Sequence, residues 1–171
     1  MNPSLPYGTW PSPISAASVA AQSLRLSALA LDGDDIYWLE GRPAEGGRNV
    51  LVRRTPDGAT SDVTPAPFNV RTRVHEYGGG AYLVDRGVVW FSNFADQRLY
   101  RLDSGTPAPQ ALTPEGAWFY ADFSFDRARQ RLIAVREDHT VEDKEAVTAL
   151  VAVAADEIGR ASCRERVSEC V

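Results

Sequence analysis

From Leu26 onward, short runs of apolar residues alternating with polar ones are separated by turn-forming residues. Leu26 to Leu31 and Ile36 to Leu39 flank Asp32, Gly33, Asp34 and Asp35, where Gly33 can take a positive φ without a Cβ clash, and this predicts a hairpin. Tyr82 to Val84 and Val88 to Phe91 flank Asp85, Arg86 and Gly87 in the same way. Phe119 to Phe125 and Arg131 to Val135 flank a third turn, Asp126 to Gln130. Each hairpin is followed by a third strand, over Val50 to Arg54, Leu99 to Leu102 and Thr148 to Val153. In the first two units a fourth strand follows and ends in Thr and Pro. The runs are about five residues long and rich in Val, Leu, Tyr, Trp and Phe, as half-buried strands are.

The units repeat. Thr64 and Thr113 lie 49 positions apart, Asn49 and Arg98 49, and Trp38 and Trp90 52. Antiparallel strands in fours, recurring at about fifty residues, are the pattern of β-propeller blades. The fold class expected is therefore all-β, an incomplete propeller of about three four-stranded antiparallel blades. The blades span about 26–65, 80–114 and 119–156, the third lacking its outer strand. A short helix is expected within an N-terminal segment, 1–25, with Ser12 as its cap, Pro13 in its first turn and Ile14, Ala17, Ala21 and Leu24 on one face. A ring normally needs about four to eight blades to close, so this chain is expected to be a fragment. Its unpaired edge and open blade faces predict aggregation rather than a monodisperse, cooperatively melting monomer.

The alternation stops near Asp156, and residues 157–171 bear no relation to what precedes them. Glu157, Ile158, Gly159, Arg160, Ala161, Ser162, Cys163, Arg164, Glu165, Arg166 and Val167 resemble the in-frame translation of a sequencing adapter, so this tail is expected to be non-native. A short charged helix is the alternative. Both cysteines, Cys163 and Cys170, fall in this tail, which leaves no disulfide or cysteine metal cluster across the body of the chain.

Composition narrows the function classes. A chain of 171 residues, 44% hydrophobic and 24% charged, suits a globular fold of about one domain. Its net charge of −5 provides no basic footprint for nucleic acid or for an anionic membrane. No apolar stretch of the roughly eighteen residues a spanning helix needs is present, and the start lacks the basic residues of an export signal. A cytoplasmic location is expected.

Four patches then point to a family. Tyr7, Gly8, Thr9, Trp10, Pro11, Ser12, Pro13 and Ile14 form the first, and Val74, His75, Glu76, Tyr77, Gly78, Gly79 and Gly80 the second. Trp90, Phe91, Ser92 and Asn93 form the third, and Val135, Arg136, Glu137, Asp138 and His139 the fourth. In this order and spacing they resemble the amino-terminal propeller of bacterial dipeptidyl aminopeptidase and acylaminoacyl peptidase relatives in the prolyl oligopeptidase (S9) family. The resemblance implies a propeller seated over an α/β-hydrolase domain, which screens substrates by size while Ser, His and Asp on that domain hydrolyse peptides. The chain contains no GxSxG motif; Gly159, Arg160, Ala161, Ser162 and Cys163 fail at the last position. No catalytic residue, metal ligand set or cofactor is therefore expected within it, and the fragment alone is predicted to be inactive. The expected partners are the hydrolase domain of the same polypeptide and a peptide substrate. The alternative is a free-standing propeller that serves as a binding module, followed by a calcium-binding propeller of the lactonase type.

His75 and Glu76 are the substrate-channel candidates, because they precede the entry to an inner strand, and inner strands line a propeller's channel. The structural alternative has Gly78 to Gly80 bending the chain against a neighbouring blade while His75 satisfies a buried backbone group. The three glycines lead into a strand rather than a helix, which argues against a phosphate loop. Arg136, Glu137, Asp138 and His139 are expected to follow a strand and be solvated, or else to pair across a blade boundary. Trp38, Trp90, Phe91, Trp118 and Phe119 are expected to fill the space between blade faces.

Overall fold

Two-residue turns set the architecture. The computed structural model describes residues 14–15, 24–141, 144–155 and 161–166, the last stretch as backbone. The first sheet comprises β1 (Arg25–Asp32), β2 (Asp35–Arg42), β3 (Arg48–Arg54) and β4 (Thr60–Asp62). The second comprises β5 (Tyr82–Asp85), β6 (Val88–Ser92), β7 (Leu99–Leu102) and β8 (Gln110–Ala111). The third comprises β9 (Trp118–Asp126), β10 (Arg131–Asp138), β11 (Val147–Ala154) and β12 (Ala161–Arg166). Each is an antiparallel meander in sequence order, a propeller blade. Apart from Ile14, Ser15 and Leu24, the helix expected in the N-terminal segment lies outside the described residues.

Asp32 faces Asp35 across the first turn and Asp85 faces Val88 across the second. Arg86 and Gly87 both have positive φ, 51° and 77°, which matches the twist of the flanking strands and which a glycine supplies without strain. This shared register makes Tyr37 the counterpart of Trp90, and Trp38 the counterpart of Phe91. The Trp38 to Trp90 spacing therefore marks equivalent strands but is offset by one residue. The offset reverses the facing. Tyr37 and Trp90 point toward the following blade, whereas Phe91 points back to the preceding one. Trp38 lies on the open face of the first blade with Leu26, Leu29 and Ile36, away from the two blade joints of this structure.

Two cores separate the blades. Tyr37, Leu39 and Leu51 meet Val84, Val89, Phe91 and Leu102, with Val70 and Phe68 from the connecting segment closing the contact. On the other side of the second blade, Trp90, Leu99 and Leu112 meet Tyr120, Leu132, Ala134, Val151 and Val153. A central blade buried on both faces needs a continuous apolar run, and Val88, Val89, Trp90 and Phe91 supply it. Trp90 stacks on Phe125 at 5.0 Å, and Trp118 packs at the margin of the same core.

The Thr and Pro landmarks have a hydrogen-bonding cause. Leu51 accepts from the Val63 amide and donates to Thr64 Oγ1 at 3.0 Å; Leu99 accepts from the Leu112 amide and donates to Thr113 Oγ1 at 3.1 Å. A threonine hydroxyl thus replaces the ladder carbonyl where the outer strand ends, and both threonines are fully buried. Arg48 and Arg98 donate to the carbonyls of these same threonines. Inner-strand ends are clamped as well: the Asp32 carboxylate accepts from the Arg86 and Gly87 amides at 2.9 and 2.6 Å, and Asp85 pairs with Arg127.

The third blade corrects one expectation, since it has an outer strand. Residues 161–166 form β12 and pair with β11, from Ala149 opposite Arg166 to Val153 opposite Ala161. Side-chain alternation did not predict this, because an edge strand is completed by N–H and C=O groups that every sequence but proline carries. The apolar first-blade face remains open, with Leu26, Leu29 and Leu31 at 64%, 74% and 68% exposure.

Arg42 ties the end of β2 to β4 by two hydrogen bonds to Asp62, each 2.7 Å. Those bonds hold the Asp62 carboxyl below the usual carboxylate range. A depressed folded value stabilises the fold above the ordinary carboxylate pKa, and that stabilisation is lost as pH falls through the lowered one. Because Asp62 is half-exposed, solvent screening keeps its share below about 1 kcal/mol. Urea titrations between pH 2 and pH 6 (roughly the carboxylate range) should therefore show a slightly flatter acid limb for Asp62→Asn than for the parent chain.

Candidate functional site

The segment joining the first two blades carries the candidate residues. Val70, Thr72 and Val74 are buried while Arg71, Arg73 and His75 are exposed, the alternation of a strand without a neighbouring ladder. Its backbone is pinned instead to the β6–β7 loop. The Arg71 amide donates to the Ser92 carbonyl at 3.1 Å, and the Arg73 amide donates to Oε1 of the buried Gln97 at 2.8 Å.

At His75 the chain turns. His75 and Glu76 have φ of 57° and 62°, two consecutive left-handed residues with Cβ atoms. That conformation costs roughly 1–2 kcal/mol per non-glycine residue, so something must hold it. Glu137 does so from the third blade. Its Oε1 accepts from the His75 amide at 2.8 Å and lies 3.2 Å from His75 Nδ1, while its Oε2 lies 3.1 Å from His139 Nε2. The Glu137 side chain is only 7% exposed, and the His139 ring lies tilted against Phe119 at 4.2 Å. The fourth sequence patch is thus not a solvated run following a strand. β10 continues through Asp138, and Glu137 pairs across a blade boundary, which desolvation alone would forbid without these partners.

The glycines have the bending role. The Gly80 amide donates to Asp122 Oδ1 at 2.6 Å, and the Asp122 amide donates to the Gly80 carbonyl at 2.9 Å. A Cβ at Gly79 or Gly80 would lie 2.9–3.0 Å from the Asp122 carboxylate, so no side chain fits without displacing it. Asp122 itself has φ 54° within a bulge of β9, and Ala28 has φ 53° within the corresponding bulge of β1. Ala28 accepts from the Tyr82 hydroxyl. The start of β5 is therefore gripped from both neighbouring inner strands.

Anchored at both ends, the turn presents its side chains outward. The Glu76 side chain is exposed and meets no hydrogen-bond or ion-pair partner among the described residues, and Tyr77 is 88% exposed, its ring 6.0 Å from that of His75. Of the two candidates, His75 is engaged by Glu137 and Glu76 is open to solvent. The sequence missed Glu137 and Asp122 as the residues that fix the turn, because each lies more than forty positions away. It also missed Arg71 and Arg73, whose guanidinium carbons lie 4.7 and 4.8 Å from the centroid of the Phe94 ring. Among the described residues no group of three or more His, Cys, Asp or Glu side chains is placed to hold a metal ion, and no helix is long and apolar enough to cross a membrane.

In structure the chain is similar to a puromycin-hydrolysing peptidase of Mycobacterium tuberculosis, with a TM-score of 0.81 and 42% identity over 89% of this chain and 25% of that one. It is similar to puromycin hydrolase at a TM-score of 0.81 and 39% identity over the same shares. A mutant of puromycin hydrolase complexed with PGG matches with the same TM-score, identity and shares. No family model and no curated protein matches the chain. The chain spans about a quarter of the length of these solved structures. In its blades, their order and this identity, the chain fits the N-terminal β-propeller part of puromycin-hydrolysing peptidases of the S9 family.

Proposed function

We propose that the chain is the substrate-screening part of a serine peptidase that hydrolyses short peptides. In this reading the propeller shapes the entrance to a cavity, and an α/β-hydrolase domain of the same polypeptide supplies the Ser, His and Asp that break the bond. One observation carries it: identity of 39–42% over 89% of the chain with proteins described as a puromycin-hydrolysing peptidase and puromycin hydrolase. His75 and Glu76 are the residues proposed to meet substrate. A left-handed turn fixed by a buried carboxylate is the kind of stored strain that clusters at binding sites, and here it sets Glu76 and Tyr77 in solvent. An open carboxylate beside an exposed ring suits an ammonium group, such as the amino end of a peptide.

The test is hydrolysis of a chromogenic dipeptide amide and of puromycin. A longer polypeptide carrying this segment is expected to turn over both, and residues 1–156 by themselves neither. Turnover by residues 1–156, or none by the longer polypeptide, would overturn the proposal.

A further inference from the structure

The connecting segment also carries a pair of cations that no carboxylate among the described residues neutralises. Arg71 and Arg73 both lie on Phe94, each guanidinium carbon within 4.8 Å of its centroid, so the two are at most twice that distance apart. Among the described residues neither guanidinium meets a carboxylate, although the chain carries 23 acidic residues against 18 basic ones. Most other arginines in the structure are paired: Arg42 with Asp62, Arg48 with Glu45, Arg53 with Asp35, Arg127 with Asp85.

The placement is fixed by the backbone rather than by chance contact. Val70 bridges Asn93, the Phe94 amide donates to the Asn69 carbonyl at 2.8 Å, and Gln97 joins both sides. The buried Gln97 amide group accepts from the Arg73 N–H and donates to the Phe94 carbonyl at 2.8 Å, which holds the ring against the segment. Two like charges on one ring repel each other, and an anion at either guanidinium relieves that repulsion. The planar donor fork of a guanidinium matches a carboxylate, and a guanidinium already stacked on a ring has lost much of its freedom before the anion arrives.

We infer that Arg71, Arg73 and Phe94 form a binding site for a carboxylate, the free carboxyl end of a peptide substrate. This rests on the peptide-screening function proposed above. The site stands two residues from His75 in the same segment, so the turn and the arginine pair offer opposite charges to a molecule that carries both.

The experiment uses the full chain, titrated with N-acetyl-dialanine as the free acid and as the amide, and with inorganic phosphate as competitor. The free acid is expected to bind at least about tenfold more tightly than the amide, the size of effect that charge-assisted hydrogen bonds produce. Arg71→Gln and Arg73→Gln are each expected to remove most of that preference and leave amide binding unchanged. Both positions are exposed, and far-ultraviolet circular dichroism of each variant verifies the fold. Equal binding of acid and amide, or a preference that survives both substitutions, overturns the carboxylate site alone. Phosphate binding more tightly than the free acid reassigns the site to phosphate and also overturns it. Failure of both peptides to bind overturns the substrate reading and this inference together.

Discussion

Replacing Phe91 by alanine is expected to lower the unfolding free energy by about 3–5 kcal/mol, a large share of the marginal stability of a domain this size. Phe91 is fully buried between the first two blades, with Phe68 edge-on at 5.8 Å and Tyr100 stacked at 5.7 Å. Removing the ring opens a cavity lined by Phe68 from the connecting segment and by Tyr100, which β7 holds in place, so little collapse can refill it. The cost falls on the joint between blades, since Val89 on the same face continues to pack against the first blade. Urea unfolding followed by tryptophan fluorescence and by circular dichroism measures it. Phe91→Leu should recover more than half of the loss. A Phe91→Ala effect below about 1 kcal/mol, the range of surface substitutions, would mean that the blades are not packed as described.

Glu137→Ala should produce the second-largest effect, about 1–3 kcal/mol, because it leaves the His75 amide and the His139 ring without their partner and removes the carboxylate beside the His75 ring. Its signature is local. With the His75 amide released, the left-handed conformations at His75 and Glu76 lose the bond that offsets their cost, and amide hydrogen exchange at residues 75–78 should quicken. Exchange in β6, whose ladder does not involve Glu137, should change only through global stability. Glu137→Gln keeps an oxygen for the His75 amide and should preserve most of the protection. If Glu137→Ala leaves exchange at residue 75 unchanged, Glu137 does not position the turn.

Much of the fold was legible because its determinants are local. The turns at Asp32 to Asp35 and Asp85 to Val88 lie where glycine and aspartate predict them, and the strands they join follow from alternation. The Thr64 to Thr113 spacing was legible because each threonine performs the same hydrogen bond in its own blade. What failed was non-local or carried by the backbone. The Trp38 to Trp90 spacing slipped by one because counting between rings cannot see the hairpin register. β12 was invisible because its pairing depends on the open edge of β11 rather than on its own apolar pattern. Arg136 to His139 looked solvated because nothing within the run shows that Glu137 meets a turn 62 residues earlier. The candidate turn itself was found from His75, Glu76 and the glycines, while Asp122, Glu137 and the two arginines on Phe94 emerge only from the folded arrangement.

These placements bear on how the segment would work in a longer protein. The turn after Val74 is fastened to the third blade at Glu137 and to its inner strand at Asp122, so its exposed tip is held by two blades. In the recognition role proposed for it, a turn fixed in this way would lose little freedom on binding. The bulges at Ala28 and Asp122 bend the inner strands at equivalent places. A propeller that screens by size needs such rigidity, because a yielding entrance would admit larger chains.

The most direct test of the central claim is a length series. Peptides of two to about twenty residues with the same cleavable bond, and a folded protein containing it, are given to the longer polypeptide that carries this segment. With the screening role proposed for this segment, kcat/KM is expected to fall steeply with length and the folded protein to be left intact, while Glu76→Gln raises KM for short peptides with little change in kcat. Cleavage that is indifferent to length, or unaffected by Glu76→Gln, would contradict it.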